Sequence, residues 1–265
     1  MKSNSLVIMR PGTQQNLKHA VRAETKSKES NSQPKIRYAL SYRATKKTNS
    51  PVSAPTNPSP APQTQGPTKY VTLIAGDSYA ARLDPVKLGK GKVVVENVAV
   101  GGAKMDKVQE QLTEYVAANP SVVVTKVILS IGTNDMRNVK DVNILRGPLK
   151  VLCTKVNSLY PNSKIYFQSL LPLPLNNEND WLTNRRIIDF NRILFNECVF
   201  RRFYYMDVFY PFTKFKRAWN EPIQRFDPLF EKGGIHPNKE RGLGVLARFY
   251  IRAIHSKYFN PYIYQ

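Results

Sequence analysis

The chain has 265 residues, 42% of them hydrophobic, which is enough for one α/β domain with a full core and a tail. Its formal net charge is +21, split as +10 over residues 1–70 (12 Lys/Arg, 2 acids) and +11 over residues 71–265 (28 and 17). Two cysteines, Cys153 and Cys198, exclude a disulfide framework or a zinc cluster, and no run approaches the roughly 20 apolar residues of a membrane span.

The charge predicts attraction to a polyanion, with nucleic acid first and an anionic membrane surface second. The plainer reading is a solvated basic surface that aids solubility. The run Leu6–Met9 is too short for a signal-peptide core, so an intracellular protein of the cytoplasm or nucleus is expected, its two cysteines buried thiols.

Residues 1–48 are polar and basic without hydrophobic period, and residues 49–68 hold six prolines among Ser, Thr and Gln. Such a composition cannot offset its ordering entropy, so residues 1–69 are expected to form a disordered basic tail and linker before a domain at 70–265. Val71–Ala75 reads as a buried strand ending at Gly76, and Val93–Val95 as a short second strand before a turn at Gly101-Gly102. Met105, Val108, Leu112 and Val116 recur at helical spacing over 104–117. Lys126–Ile131 is a third strand, and Val142, Leu145, Leu149, Leu152 and Val156 share one face of a helix over 140–159. Lys164–Ser169 reads as a fourth strand, 181–198 as a helix, Tyr204–Val208 as a fifth strand and 238–256 as a last helix. Strands and helices alternating in this way imply a parallel sheet covered on both faces, with ligands beyond the carboxyl ends of the strands.

Gly76-Asp77-Ser78, Gly101-Gly102 and Gly132-Thr133-Asn134-Asp135 all fall at that edge. Ser78 opens a short helical stretch, so its own N–H is free to meet a developing negative charge. Its hydroxyl needs a base, and His236 is the natural one of three histidines, because His19 lies in the tail and His255 at a helix end. Gly102 offers a backbone N–H and Asn134 a side-chain amide to an oxyanion. Taken singly, each segment has a bland reading: a turn and cap at Gly-Asp-Ser, a turn at Gly-Thr-Asn-Asp, a helix entry at His236-Pro237. Their order and their places after strands are what the bland readings leave unexplained.

In combination these segments resemble the SGNH (GDSL-type) hydrolase superfamily, over about residues 71–257. The resemblance implies a flavodoxin-like three-layer α/β/α sandwich. It implies Ser78 as nucleophile, His236 as general base, and Ser78, Gly102 and Asn134 as the oxyanion hole. Gln168–Pro172 is similar to the family's fourth strand and its exit. Two positions depart from the pattern. Tyr79 stands where leucine is frequent, a change expected to alter packing little. Gly233 stands three before His236, where the family has the aspartate that orients the histidine; losing that acid in a serine protease costs about 10⁴ in turnover. Glu231, Asp227 or a backbone carbonyl remain as substitutes, with Glu231 preferred because Gly233-Gly234 let its loop fold back.

Two readings follow. One is an SGNH-type serine esterase acting on an acyl or acetyl ester, with a basic nucleic-acid-attracting arm. In outline it is similar to the esterase-domain proteins of non-LTR retrotransposons, which suggests a mobile-element origin. The other is a catalytically weak or inactive scaffold of the same fold that binds RNA or DNA. No metal or organic cofactor is implied by either. Arg201–Tyr205 and Lys214–Trp219 interleave cations with aromatics in a texture that suits phosphate contact and base stacking, or plain core packing. The loops at 79–92 and 173–183, which would shape an acyl pocket, carry no readable signature.

Overall fold

The computed structural model describes residues 69–137, 139–174, 180–214 and 225–256. The tail and linker at 1–68 and most of the Lys214–Trp219 stretch therefore lie outside the described residues.

Five parallel strands form one sheet: β1 (Lys69–Gly76), β2 (Val94–Asn97), β3 (Val122–Ser130), β4 (Lys164–Gln168) and β5 (Tyr204–Met206). Their order is β2-β1-β3-β4-β5, the flavodoxin-like arrangement, in which the connections reverse direction between β1 and β3 and open a crevice there. The apolar strands follow from burial on both sides. Val71, Leu73 and Ala75 of β1, Val127 and Leu129 of β3, and Ile165 and Phe167 of β4 enter one core. The alternate residues Ile74, Ile128 and Tyr166 enter a second core on the other face.

Three helices cover the first face: α3 (Met105–Ala118), α4 (Arg146–Leu159) and α5 (Asp180–Arg201). Val108 and Leu112 of α3 and Leu149, Leu152 and Val156 of α4 are wholly or almost wholly buried there, as their spacing predicts. The second face carries the short helices α1 (Ser78–Ala81) and α2 (Pro85–Gly89), with α6 (Gly242–His255). From β3, Lys126 Nζ donates to the carbonyls of Ala253 (2.9 Å), Ile254 and Ser256 (3.4 Å), placing a cation on the negative end of α6. His255 sits 2.8 Å from the Leu88 carbonyl through Nε2 and joins α6 to α2. Cys153 and Cys198 are buried free thiols, and burial pushes Cys153 up to about 12.

Several elements differ from expectation. β3 begins at Val122, four residues early, because pairing with β1 continues through an irregularity between Val71 and Thr72. The helix expected over 140–159 is a 3₁₀ turn at Val142–Leu145 followed by α4. The last helix starts at Gly242 rather than 238: Pro237 pairs with Phe230 in an isolated bridge, and Asn238 Oδ1 accepts from the N–H groups of Arg241 (2.9 Å) and Gly242 (3.0 Å). Pro237 is therefore not a helix entry. In the aromatic stretch after α5, Phe203 is buried against Phe167, Tyr204 stacks on Tyr166, and Arg201 is bonded to Glu197 at 2.5 Å. Those rings pack against the sheet, which is the core-packing alternative.

Candidate active site

Gly76 ends β1 where its backbone crosses over Ser130 of β3. A Cβ there would lie 2.1 Å from the Ser130 carbonyl oxygen, and φ is +142°, so no other residue fits. Asp77 follows, fully buried. Its Oδ1 accepts from Tyr79 N–H (3.1 Å) and Ser130 Oγ–H (2.9 Å), capping α1 and tying the turn to β3. Burial dominates its titration and pushes the carboxyl up to about 6. Ser78 thus becomes the first residue of α1, with its N–H facing out of the helix start.

Two further loops meet this turn. A Cβ on Gly101 would lie 3.9 Å from Ser78 Cβ, so the loop after β2 runs beside the serine. Asn134, buried in the turn after β3, donates through Nδ2 to the Ala103 carbonyl at 3.0 Å, and Asp135 Oδ1 accepts from Met105 N–H at 3.2 Å. These bonds lock the loops carrying Gly102 and Asn134 together and leave one amide hydrogen of Asn134 available. No backbone carbonyl among the described residues accepts from Gly102 N–H outside the regular elements.

The fourth segment comes from the loop before α6. His236 Nε2 lies 2.9 Å from Ser78 Oγ, across 158 residues of sequence. Tyr79 packs its ring edge-on to the imidazole, with centroids 5.7 Å apart, and its hydroxyl donates to the Ile235 carbonyl at 3.2 Å. The residue in the leucine position thus holds the histidine loop, a larger effect on packing than the sequence led us to expect.

Of the three groups that the sequence offers to orient His236, Glu231 is the side chain beside the histidine. Its Oε2 lies 4.0 Å from His236 Nδ1, while Oε1 accepts from Arg82 Nη1 at 2.5 Å. The first distance is electrostatic contact rather than a hydrogen bond. Asp227 is turned elsewhere: its Oδ1 accepts from Arg225 Nε at 2.8 Å. Gly233 has φ +68° and nothing within 4 Å of where a Cβ would stand.

Sequence reading missed Arg82 and Arg225. Arg82 caps α1 four residues after Ser78, a spacing that placed it near the serine and was open to notice. Arg225 gave no local signal. It is buried, donates to the Gly234 carbonyl at 2.6 Å as well as to Asp227, and lies over the Phe230 ring at 4.3 Å. It braces the loop that carries both Glu231 and His236.

The surroundings of His236 favour its neutral form. Burial lowers its pKa from the ordinary value, Arg82 and Arg137 lower it further, and Glu231 alone opposes them. Glu231 is held below the usual carboxylate range, first by its hydrogen bond from Arg82. A neutral imidazole facing a serine hydroxyl, with an ionised carboxylate behind it and N–H donors beside it, is equipped for acyl transfer. Among the described residues no group of His, Cys, Asp and Glu has an arrangement suited to a metal ion.

Fold and site together define an α/β/α sandwich hydrolase with its residues on the loops after β1, β2 and β3 and before α6. The family model for GDSL-like lipases and acylhydrolases matches residues 63–240, and the chain belongs to that family. Comparison of the sequence with curated proteins finds no match. Solved structures share the fold. A Streptococcus pneumonia protein named for platelet activating factor is 19% identical, with TM-score 0.56 over 71% of this chain and 85% of that one. A GDSL-like lipase from Bacteroides thetaiotaomicron is 17% identical, with TM-score 0.54 over 71% and 88%. A catalytic variant of an acetylxylan esterase from Geobacillus stearothermophilus is 16% identical, with TM-score 0.51 over 77% and 100%.

Proposed function

We propose that the chain is a serine esterase acting on an acyl or acetyl ester, with Ser78 as nucleophile and His236 as general base. The 2.9 Å contact between Ser78 Oγ and His236 Nε2 carries the reading. With its proton on Nδ1, neutral His236 accepts the hydroxyl proton at Nε2 as Oγ bonds to the ester carbonyl carbon. The N–H groups of Ser78 and Gly102 and the free amide hydrogen of Asn134 receive the oxyanion. The imidazolium then protonates the departing alcohol, and water, deprotonated by the same ring, releases the acid and restores Ser78. Glu231 takes the part that the residue at Gly233 leaves unfilled, steadying the imidazolium from the Nδ1 side through a carboxylate that Arg82 fixes. Hydrolysis of 4-nitrophenyl acetate that disappears in Ser78→Ala supports the reading; equal rates in the two proteins refute it.

A second component rests on charge. The +10 of residues 1–70 suits a nucleic-acid-attracting arm on the esterase, the pairing that suggests a mobile-element origin. Removing residues 1–68 should then weaken RNA or DNA affinity and flatten its salt dependence, without altering ester turnover. Strong binding together with no Ser78-dependent hydrolysis favours the inactive scaffold instead.

A further inference from the structure

Every segment of the candidate site is followed within four residues by a cation. Arg82 comes four after Ser78, Lys104 two after Gly102, Arg137 three after Asn134 and Lys239 three after His236. The segments converge at Ser78, and each brings one of these cations within a few residues along the chain. Arg82 is engaged with Glu231. Lys104, Arg137 and Lys239 are exposed and make no hydrogen bond or ion pair with a described residue. Their fields reach the site: Arg137 acts on His236 and Tyr79, Lys104 on Asp135 and Lys239 on Glu231. The acids among them do not cancel this rim. Asp77 is buried beneath the serine turn, Asp135 accepts from Met105 N–H, and Glu231 is taken by Arg82. The exposed acids near these segments are Asp84, Asp106, Asp227 and Glu240, of which Asp84 caps α2 and faces Lys87 and Asp227 is paired with Arg225.

We propose that the ester handled at Ser78 carries a negative charge, a carboxylate or phosphate close to the scissile bond, and that Arg137 is the residue that reads it. The inference rests on the esterase reading above. Arg137 is chosen over Arg82 because its guanidinium is uncommitted, and over the lysines because its planar fork pairs with carboxylate and phosphate oxygens two at a time. It also stands on the turn that presents Asn134, so an anion it holds lies beside the carbonyl under attack. For a neutral ester the rim is a handicap, since two arginines weaken His236 as a base. An anionic substrate offsets that field on binding and leaves the imidazole more basic when its proton-accepting role begins.

The test compares acetate release by the full chain from 4-acetoxybenzoate, 4-acetoxyphenyl phosphate and the neutral 4-acetamidophenyl acetate, with Arg137→Gln and Arg137→Glu alongside. The readout is the ratio of kcat/KM, anionic over neutral, which cancels any effect of the substitution on His236 itself. One surface cation near an anion is worth about fivefold. The ratio should fall by about that factor in Arg137→Gln and further in Arg137→Glu. In the natural protein it should fall as salt rises to about 0.5 M. The larger loss among the two anionic esters identifies the carboxylate or the phosphate as the group read. A ratio indifferent to both substitutions overturns the proposal while leaving the esterase reading in place. Failure of the natural protein to hydrolyse any of the three overturns that reading and this inference with it.

Discussion

Replacing Glu231 by Gln removes the charge behind His236 while keeping the shape of the side chain. The 4.0 Å from Glu231 Oε2 to His236 Nδ1 sets the scale. Two unit charges at that distance attract by a factor of about five under water-like screening, and by far more in a dry interior. A buried, hydrogen-bonded triad acid is worth about 10⁴. Glu231 is exposed, makes no hydrogen bond to the ring and shares its charge with Arg82, so its effect belongs near the lower limit, about tenfold in kcat/KM. The sign of the pH effect is a sharper test. As the proposed general base, His236 acts unprotonated, so activity should rise as pH climbs through its pKa. Glu231 is the one named group that raises that pKa, and its loss frees Arg82 to lower it further. Glu231→Gln should therefore show a lower plateau whose acid limb has moved to lower pH. Steady-state hydrolysis of a neutral aryl acetate between about pH 4 and 9, a range spanning the ordinary histidine value, reads both quantities. A plateau within twofold of the natural protein, or a limb displaced to higher pH, would refute the assignment.

Three other substitutions probe the frame around the site. Gly76→Ala forces a methyl to 2.1 Å from the Ser130 carbonyl oxygen, so a loss of about 3 kcal/mol or more is expected in denaturant unfolding. Asp77 titrates at about 6 when folded against 3.8 ordinarily, so stability should fall as pH rises from about 4 to 6, by about 3 kcal/mol in total. Asp77→Asn should remove that slope, and an unchanged slope would assign it to another group. Arg225→Met deletes the bonds to Gly234 and Asp227 and the contact with Phe230; a loss of about 2–3 kcal/mol and a matching fall in turnover are expected, measured as Tm and kcat/KM. An unaltered Tm would show that the loop does not depend on Arg225.

The fold was legible wherever burial imposed a period. Strands covered on both faces are nearly all apolar, and Leu149, Leu152 and Val156 announce their helix by spacing alone. Legibility failed at ends and short pieces. Val122–Val124 of β3 alternate between half-buried and exposed at the sheet's rim, and α2 has five residues, too few to show a period. The start of α6 depends on a side-chain cap from Asn238 and a bridge between Phe230 and Pro237, contacts that no local pattern encodes. In the candidate site, the convergence of Ser78, Gly102, Asn134 and His236 was open to expectation because each follows a strand or precedes a helix in fixed order. Glu231 was readable as one of several candidates, since only the fold decides which carboxylate turns toward the ring and which, like Asp227, turns to an arginine. Arg225 was not readable at all, because its role lies in a carbonyl nine residues away in a loop without period.

The most direct test of the account is covalent labelling of the full chain by a fluorophosphonate, with Ser78→Ala and Gly233→Asp in parallel. An activated serine predicts labelling of the natural protein and none of Ser78→Ala. Labelling confined to Gly233→Asp would mean that Glu231 does not replace the missing acid, and silence in all three would contradict the esterase reading itself.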